Sequence, residues 1–226
     1  MKQVNRDFFS VWNTEMAYIL GFWFADGWMS QPDTSCHITF TSADLDHLKA
    51  IQLLLASEQK IYARTGRCYD LTIGSKQLWH DLYRLGGRPA KSLIAEMPFV
   101  PQELVHHFVR GFVDGDGCLY WNALRRATPR IHIFGGQRFL QQLASVLDQE
   151  TGVGVAQVRV HKKNVLVLSY PGIKAKVLAK WMYTPGDLAL ERKAALAQEF
   201  GKWELSEFGW KSQTVMTPRM RQILAS

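Results

Sequence analysis

The chain has 226 residues, 47% of them apolar, which is enough for a real core, and its 27 Lys and Arg against 20 Asp and Glu leave a net charge of +7. The excess suits a polyanionic partner and is concentrated: residues 1–105 hold 10 basic and 11 acidic side chains, residues 106–226 hold 17 and 9. Cys36, Cys68 and Cys118 form no CxxC pair and argue against a secreted disulfide framework, and no apolar run reaches the 18 residues of a membrane span. With no signal-peptide core between Met1 and Phe9, an intracellular, reducing compartment is expected.

Taken in chain order, the pattern is written twice. Asn13 to Gly27 is apolar at helical spacing and stops at Asp-Gly. Short strands follow at Trp28–Ser30 and His37–Thr41, then a helix over Leu45–Ala56, strands over Lys60–Arg64 and Tyr69–Ile73, and a helix over Lys76–Leu85. Pro98-Phe99-Val100-Pro101 then breaks the pattern; Pro101 suits the first turn of a helix and Glu103 complements its positive end. The second copy opens with a helix over Gln102–Gly117, again ending in Asp-Gly. Strands are predicted over Cys118–Leu124 and Arg130–Phe134, a helix over Arg138–Gln149, strands over Val155–Val160 and Val165–Ser169, and a helix over Lys174–Tyr183. The expected fold class is therefore α+β, two αββαββα units at residues 1–100 and 101–200. Residues 201–226 are an extension with a short helix near Pro218–Ala225.

The two opening helices share an unusual feature. Ala17, Gly21 and Ala25 recur every four residues in the first; His107, Gly111 and Gly115 do so in the second. Residues four apart lie on one helix face, so each helix carries a nearly bare stripe. A glycine inside a helix costs about 1 kcal/mol relative to alanine. Close approach of the two backbones along these stripes would offset that cost, with Ile19, Leu20, Phe22, Trp23, Val109, Phe112 and Val113 buried to the sides. Asp26 and Asp116, 90 residues apart, would then meet at one end of the contact. A carboxylate at the negative end of a helix is disfavoured, and two close together more so. A hard divalent cation with oxygen ligands neutralises such a pair, and Mg²⁺ is the natural choice. A single Asp-Gly after a helix is ordinarily just a turn. Two of them, at the ends of matching helices inside a repeat, are not.

At these residues the sequence resembles the LAGLIDADG homing endonucleases. Ile19-Leu20-Gly21-Phe22-Trp23-Phe24-Ala25-Asp26-Gly27 looks like a first copy of the nine-residue motif, and Val109-Arg110-Gly111-Phe112-Val113-Asp114-Gly115-Asp116-Gly117 like a second. The resemblance covers roughly residues 13–200. It implies a single-chain, monomeric protein with two pseudo-twofold-related halves. The motif helices would form the interface, and two curved antiparallel sheets a saddle over duplex DNA. It implies metal-dependent cleavage of both strands at a long, pseudo-palindromic site. Two or three Mg²⁺ ions would be shared between Asp26 and Asp116, assisted by the carbonyls of Ala25 and Gly115. Phe24 departs from the acidic sixth motif position, which Asp114 retains. The family's basic active-site residues map loosely onto Lys91 and Lys193, with Glu191 a competing alignment for the second.

Sequence reading of DNA would come from alternate side chains on one sheet face. Candidates are Trp28, Gln31, His37, Thr39, Arg64 and Arg67 in the first copy. In the second they are Trp121, Arg125, Arg126, Arg130, His132, Arg159, His161, Lys162 and Lys163, with His161-Lys162-Lys163-Asn164 a phosphate-contacting loop. His106 and His107 are adjacent on a helix, do not share a face, and are read as non-catalytic. An intron maturase, binding its host intron RNA, and a DNA-binding regulator without catalysis are the competing functions. Neither requires both aspartates.

Overall fold

The computed structural model describes residues 2–32, 35–91, 94–122, 128–204 and 215–226. Among these the class is α+β as expected, with eight α-helices and two four-stranded antiparallel sheets. The chain divides into two compact units, Met1–Asp116 and Gly117–Ser226.

The first unit opens with α1 (Thr14–Asp26), whose N-terminus is fixed by the Asn13 side chain accepting from the Met16 N–H at 2.7 Å. It runs directly into β1 (Gly27–Met29), followed by β2 (His37–Ser42), α2 (Leu45–Leu54), β3 (Ile61–Arg64), β4 (Cys68–Gly74) and α3 (Lys76–Arg84). The sheet order is β1-β2-β4-β3. Alternation sends Ile38, Phe40, Leu71 and Ile73 inward, where they are fully buried with Leu48 and Ile51 of α2 and Leu78 and Leu82 of α3. The last helix of this unit is α4 (Val105–Asp116), entered through a 3-10 turn at Gln102–Leu104. It opens the second sequence copy, yet packs on α1 and belongs with the first unit.

The second unit repeats the sheet, in order β5-β6-β8-β7, from β5 (Gly117–Asn122), β6 (Thr128–Phe134), β7 (Arg159–Lys162) and β8 (Val165–Pro171). Its inner face, with Leu119, Ile131, Ile133 and Leu168, is covered by α5 (Gln137–Thr151) and α6 (Ile173–Met182). α7 (Glu191–Lys202), which the periodicity did not mark, packs on α6 and β5. α8 (Pro218–Ala225) is the short helix expected in the extension. It is tied down by Lys180 donating to the Leu224 carbonyl and by Arg219 reaching Glu150.

One local expectation is corrected. β7 occupies Arg159–Lys162, not Val155–Val160, because Lys163 and Asn164, with φ of 39° and 70°, make a two-residue hairpin turn that pairs Arg159, Val160 and Lys162 with β8, with a bulge at His161. Gly27, directly after α1, has a φ of −95°, which is ordinary for any residue. It is glycine because a Cβ there would stand 2.3–2.4 Å from the Trp23 ring and carbonyl.

The α1–α4 contact is the closest in the unit. A Cβ on Gly21 would lie 1.9 Å from the Phe108 carbonyl oxygen, and one on Gly111 would lie 2.0 Å from that of Tyr18. The pairs exchange under the same 90-residue offset that relates the motifs, so the two helices meet as a local twofold. Gly21→Ala or Gly111→Ala should lower stability by about 2 kcal/mol or more, through overpacking against backbone that cannot yield. Gly201→Ala in α7, where a Cβ meets nothing within 4 Å, should do the opposite by up to about 1 kcal/mol. Chemical denaturation checks the pair, and a Gly21→Ala protein as stable as the parent would refute the close contact.

Candidate active site

Because α1 and α4 cross with their bare faces together, their C-terminal ends arrive side by side. Ala25 and Gly115, the residues before the two aspartates, face each other: a Cβ on Gly115 would be 2.3 Å from that of Ala25 and 3.1 Å from Asp26 Oδ2. Asp26 is exposed and Asp116 half-buried. Between them in electrostatic reach stands Lys91, which is 6% exposed. Its Nζ donates to the carbonyl of Gly27, the residue immediately after Asp26, and sits 4.9 Å from the Trp23 ring centroid. Burial pulls its pKa down to about 8, while the charges of Asp116 and Asp26 oppose the fall.

In the second unit the same contact recurs. Lys193, 4% exposed, donates from Nζ to the carbonyl of Gly117 at 2.7 Å, and Gly117 immediately follows Asp116. Lys193 lies in the first turn of α7 rather than before the helix, and Glu191, the competing candidate, is exposed. Each motif aspartate is thus followed by a carbonyl that a buried lysine holds. Asp114 is elsewhere. It is 2% exposed and accepts from the Tyr18 hydroxyl at 2.7 Å, with His47 Nε2 at 3.1 Å from the same hydroxyl. His107 is also buried, bonded to Arg110 at 2.8 Å.

The donor set around Asp26 and Asp116 is all oxygen, which fits a hard divalent cation that keeps several waters. Among the described residues no group of three or more His, Cys, Asp or Glu is arranged to hold a metal ion. A cation here would rest on two carboxylates, with backbone carbonyls and substrate oxygens completing its shell.

The outer sheet faces carry the remaining candidates. On the first, Trp28, 53% exposed, pairs with Thr39, which pairs with Thr72. Thr39 itself is buried and hydrogen bonds to Thr72 Oγ1 at 2.9 Å, so it offers little to a ligand. His37 lies at the end of the same face. Arg64 is 3.9 Å from Asp70, Arg67 sits in the β3–β4 turn with φ of 65°, and Gln31 is exposed just past β1. Tyr62, 63% exposed opposite Asp70, shares this face; alternation along β3 marks it, though the basic pattern did not.

On the second sheet Arg130, His132, Arg159 and His161 share the outer face, and Lys162 and Lys163 are exposed at the β7–β8 turn. The His132 and His161 rings lie 5.7 Å apart, and the Tyr120 hydroxyl is 3.2 Å from His132 Nε2. Burial first, then Arg130 and His161, lower the His132 pKa. Trp121 is a correction. It lies one residue out of phase with Tyr120 and turns inward, its ring 5.0 Å from that of Phe200 on α7. The aromatic residue that shares the outer row is Tyr120. Arg125 and Arg126 lie outside the described residues.

Residues 13–87 match the family model described as a LAGLIDADG-like domain. No curated protein matches the chain in sequence. Solved structures with the same fold include the homing endonuclease I-WcaI bound to its DNA recognition sequence, 11% identical, covering 83% of this chain and 90% of that one at a TM-score of 0.56. The LAGLIDADG meganuclease I-AabMI bound to uncleaved DNA is 14% identical, covering 84% and 90% at 0.57. The I-SmaMI LAGLIDADG homing endonuclease bound to cleaved DNA is 13% identical, covering 85% and 88% at 0.54. The family model covers the first copy, and the likeness to the solved structures is one of fold and extends over more than four-fifths of the chain.

Lys91 gives a prediction on stability. Folding depresses its pKa from the ordinary 10.5 to about 8, so between those values the unfolded chain retains a proton that the folded chain has released. Raising the pH through that window therefore stabilises the wild type relative to Lys91→Met. Thermal melts in chelator at pH values on either side of the window should show the two proteins diverging, with the wild type gaining. Parallel curves would mean that Lys91 is not desolvated.

Proposed function

We propose that this protein is a DNA endonuclease of homing type, dependent on a divalent metal, Mg²⁺ by the chemistry of its donors. It would break both strands of a long, pseudo-palindromic duplex site while acting as a single chain. The observation that carries the reading is the convergence of Asp26 and Asp116 at one end of the α1–α4 contact, with the buried Lys91 in electrostatic reach of both. Both carboxylates come from one chain, so no second copy is needed to complete the pair. The DNA-bound state of the fold's solved relatives supports the choice of substrate.

Phosphodiester hydrolysis requires in-line attack by water and stabilisation of charge on the phosphate and the leaving oxygen. A divalent cation held by Asp26 and Asp116 would supply the polarisation of the phosphate and the acidification of the attacking water. The chain's own groups do the rest. Lys91 is held in place by the Gly27 carbonyl and Lys193 by the Gly117 carbonyl, and each would supply an ammonium group to stabilise a phosphate. Burial removes their competing hydration, so charge on the phosphate is stabilised without reorganising solvent. Lys91 must be protonated for this, and its pKa of about 8 keeps it so at neutral pH. The small residues Ala25 and Gly115 let the two helix ends close on each other, which brings the carboxylates together.

Incubation with a randomised duplex library, with and without Mg²⁺, followed by sequencing of the cut ends, tests the reading. Asp26→Asn and Asp116→Asn should each abolish double-strand cleavage and leave duplex binding within a few-fold. Lys91→Met and Lys193→Met should slow cutting by about 10²–10³, as loss of a preorganised charge donor does. Persistent double-strand cutting by either asparagine variant would remove that carboxylate from the mechanism.

The outer faces predict an asymmetric salt dependence. Each lost phosphate contact should lower the slope of log Kobs against log salt by about 0.9. Arg130→Ala/Arg159→Ala should lose close to two such contacts. Arg64→Ala/Arg67→Ala should lose fewer, because Asp70 already shares Arg64. Equal slopes for the two double variants would contradict it.

A further inference from the structure

Trp23 is the largest fully buried side chain, yet its Nε1 finds no hydrogen-bond acceptor among the described residues. An unpaired buried donor is unfavourable, and leucine or isoleucine would fill apolar space without one. Two neighbours also make way for the indole. A Cβ on Gly27 would stand 2.3 Å from its Cδ1, and one on Gly87 would stand 2.9 Å from its Cζ3. What the ring gains in return lies over its face. Lys91 Nζ is 4.9 Å from the ring centroid while it donates to the Gly27 carbonyl. Indole is the best cation acceptor among the aromatic side chains, and better still away from water. Lys91, 6% exposed, has given up most of its hydration, and the ring and one carbonyl stand in for it.

We propose that Trp23 is a positioning residue of the first cleavage centre, its indole face holding the Lys91 ammonium at the carbonyl next to Asp26. The inference rests on the endonuclease reading above and deepens it. Lys91 needs the support because its backbone offers little. It belongs to the segment after α3, next to Ala90 at a φ of 54°, whereas Lys193 is built into the first turn of α7. The ring is also peculiar to the first copy. The 90-residue offset that relates Asp26 to Asp116 takes Trp23 to Val113, a residue with no ring. Fully buried, Trp23 reaches no substrate and acts through Lys91. On the endonuclease reading each strand's phosphate draws on one lysine. Loss of the ring therefore weakens the cut that depends on Lys91 and spares the other, whereas loss of a purely structural residue weakens both.

The test has two arms, both on the full chain. In the first, without metal or DNA, acetylation by a limiting N-hydroxysuccinimide ester is followed by mass spectrometry of the Lys91 and Lys193 peptides. Trp23→Leu should speed modification of Lys91 by about tenfold, the worth of a desolvated cation–π contact, and leave Lys193 unchanged. In the second, with Mg²⁺, a duplex site recovered from the randomised library carries a different fluorophore on each strand. Trp23→Leu should slow, by about tenfold, the strand that Lys91→Met slows, and leave the strand that Lys193→Met slows within about twofold. Trp23→Phe, whose ring is the weaker cation acceptor, should show the same pattern at about two- to threefold, and it decides the matter if the leucine variant does not fold. Lys91 reactivity unchanged in the folded variants would overturn the proposal, and so would equal slowing of both strands. A wild-type chain that cuts no site would strike the endonuclease reading, and the acetylation arm would still decide whether Trp23 holds Lys91.

Discussion

The rest of the first unit depends on how closely the backbones of α1 and α4 approach. Gly21 and Gly111 each stand where a single methyl group would overlap a carbonyl oxygen of the other helix. Helices separated by ordinary side chains pack with axes 8–10 Å apart, and bare stripes permit less. The approach fixes translation and rotation together, because each glycine fits beside only one carbonyl. Asp26 and Asp116 are each five residues beyond their glycine, so their positions follow from that fit. A carboxylate pair is set by backbone contact rather than by flexible side chains, and catalytic geometry tolerates little error.

The arrangement opposes stability. Two carboxylates sit at two negative helix ends, and a lysine is buried beside them at the expense of its hydration. The charges partly compensate: Asp26 and Asp116 favour the ammonium that burial disfavours, and the Gly27 carbonyl takes its proton. The result is a concentration of charge at two helix ends. A site of this kind is kept for what binds there, since an apolar pair at the same positions would hold the helices together better.

Much of this was legible. The four-residue spacing of small residues specified the contact, and the repeat offset specified its partner. Lys91 and Lys193 came from family resemblance alone, because they lie 102 residues apart while the aspartates lie 90 apart. The loops before them differ in length, so no periodicity could pair them. Trp121 was assigned to the wrong face because the phase of β5 is set where α4 ends at Asp116, and one residue of phase exchanges faces. The role of Asp114 was hidden for another reason: its partner Tyr18 is 96 residues away on a different helix.

Asp114 also bears on why α1 pairs with α4 and not with another α1. The glycine stripes alone are nearly self-complementary, and two copies of either helix could meet in the same way. The side chains around them break that equivalence. Where the second copy has Arg110 and Asp114, the first has Leu20 and Phe24. In the pair as formed, Tyr18 donates to Asp114, Arg110 lies 5.2 Å from the Tyr18 ring centroid, and Phe24 packs on Phe108. An α1–α1 contact would put Phe24 where the Tyr18 hydroxyl needs an acceptor. An α4–α4 contact would bury Asp114 without that hydroxyl. Leaving one such group unsatisfied costs about 1–3 kcal/mol, and more for a charge. The polar groups inside this interface therefore select the intrachain pairing, and with it a site whose two carboxylates belong to one molecule.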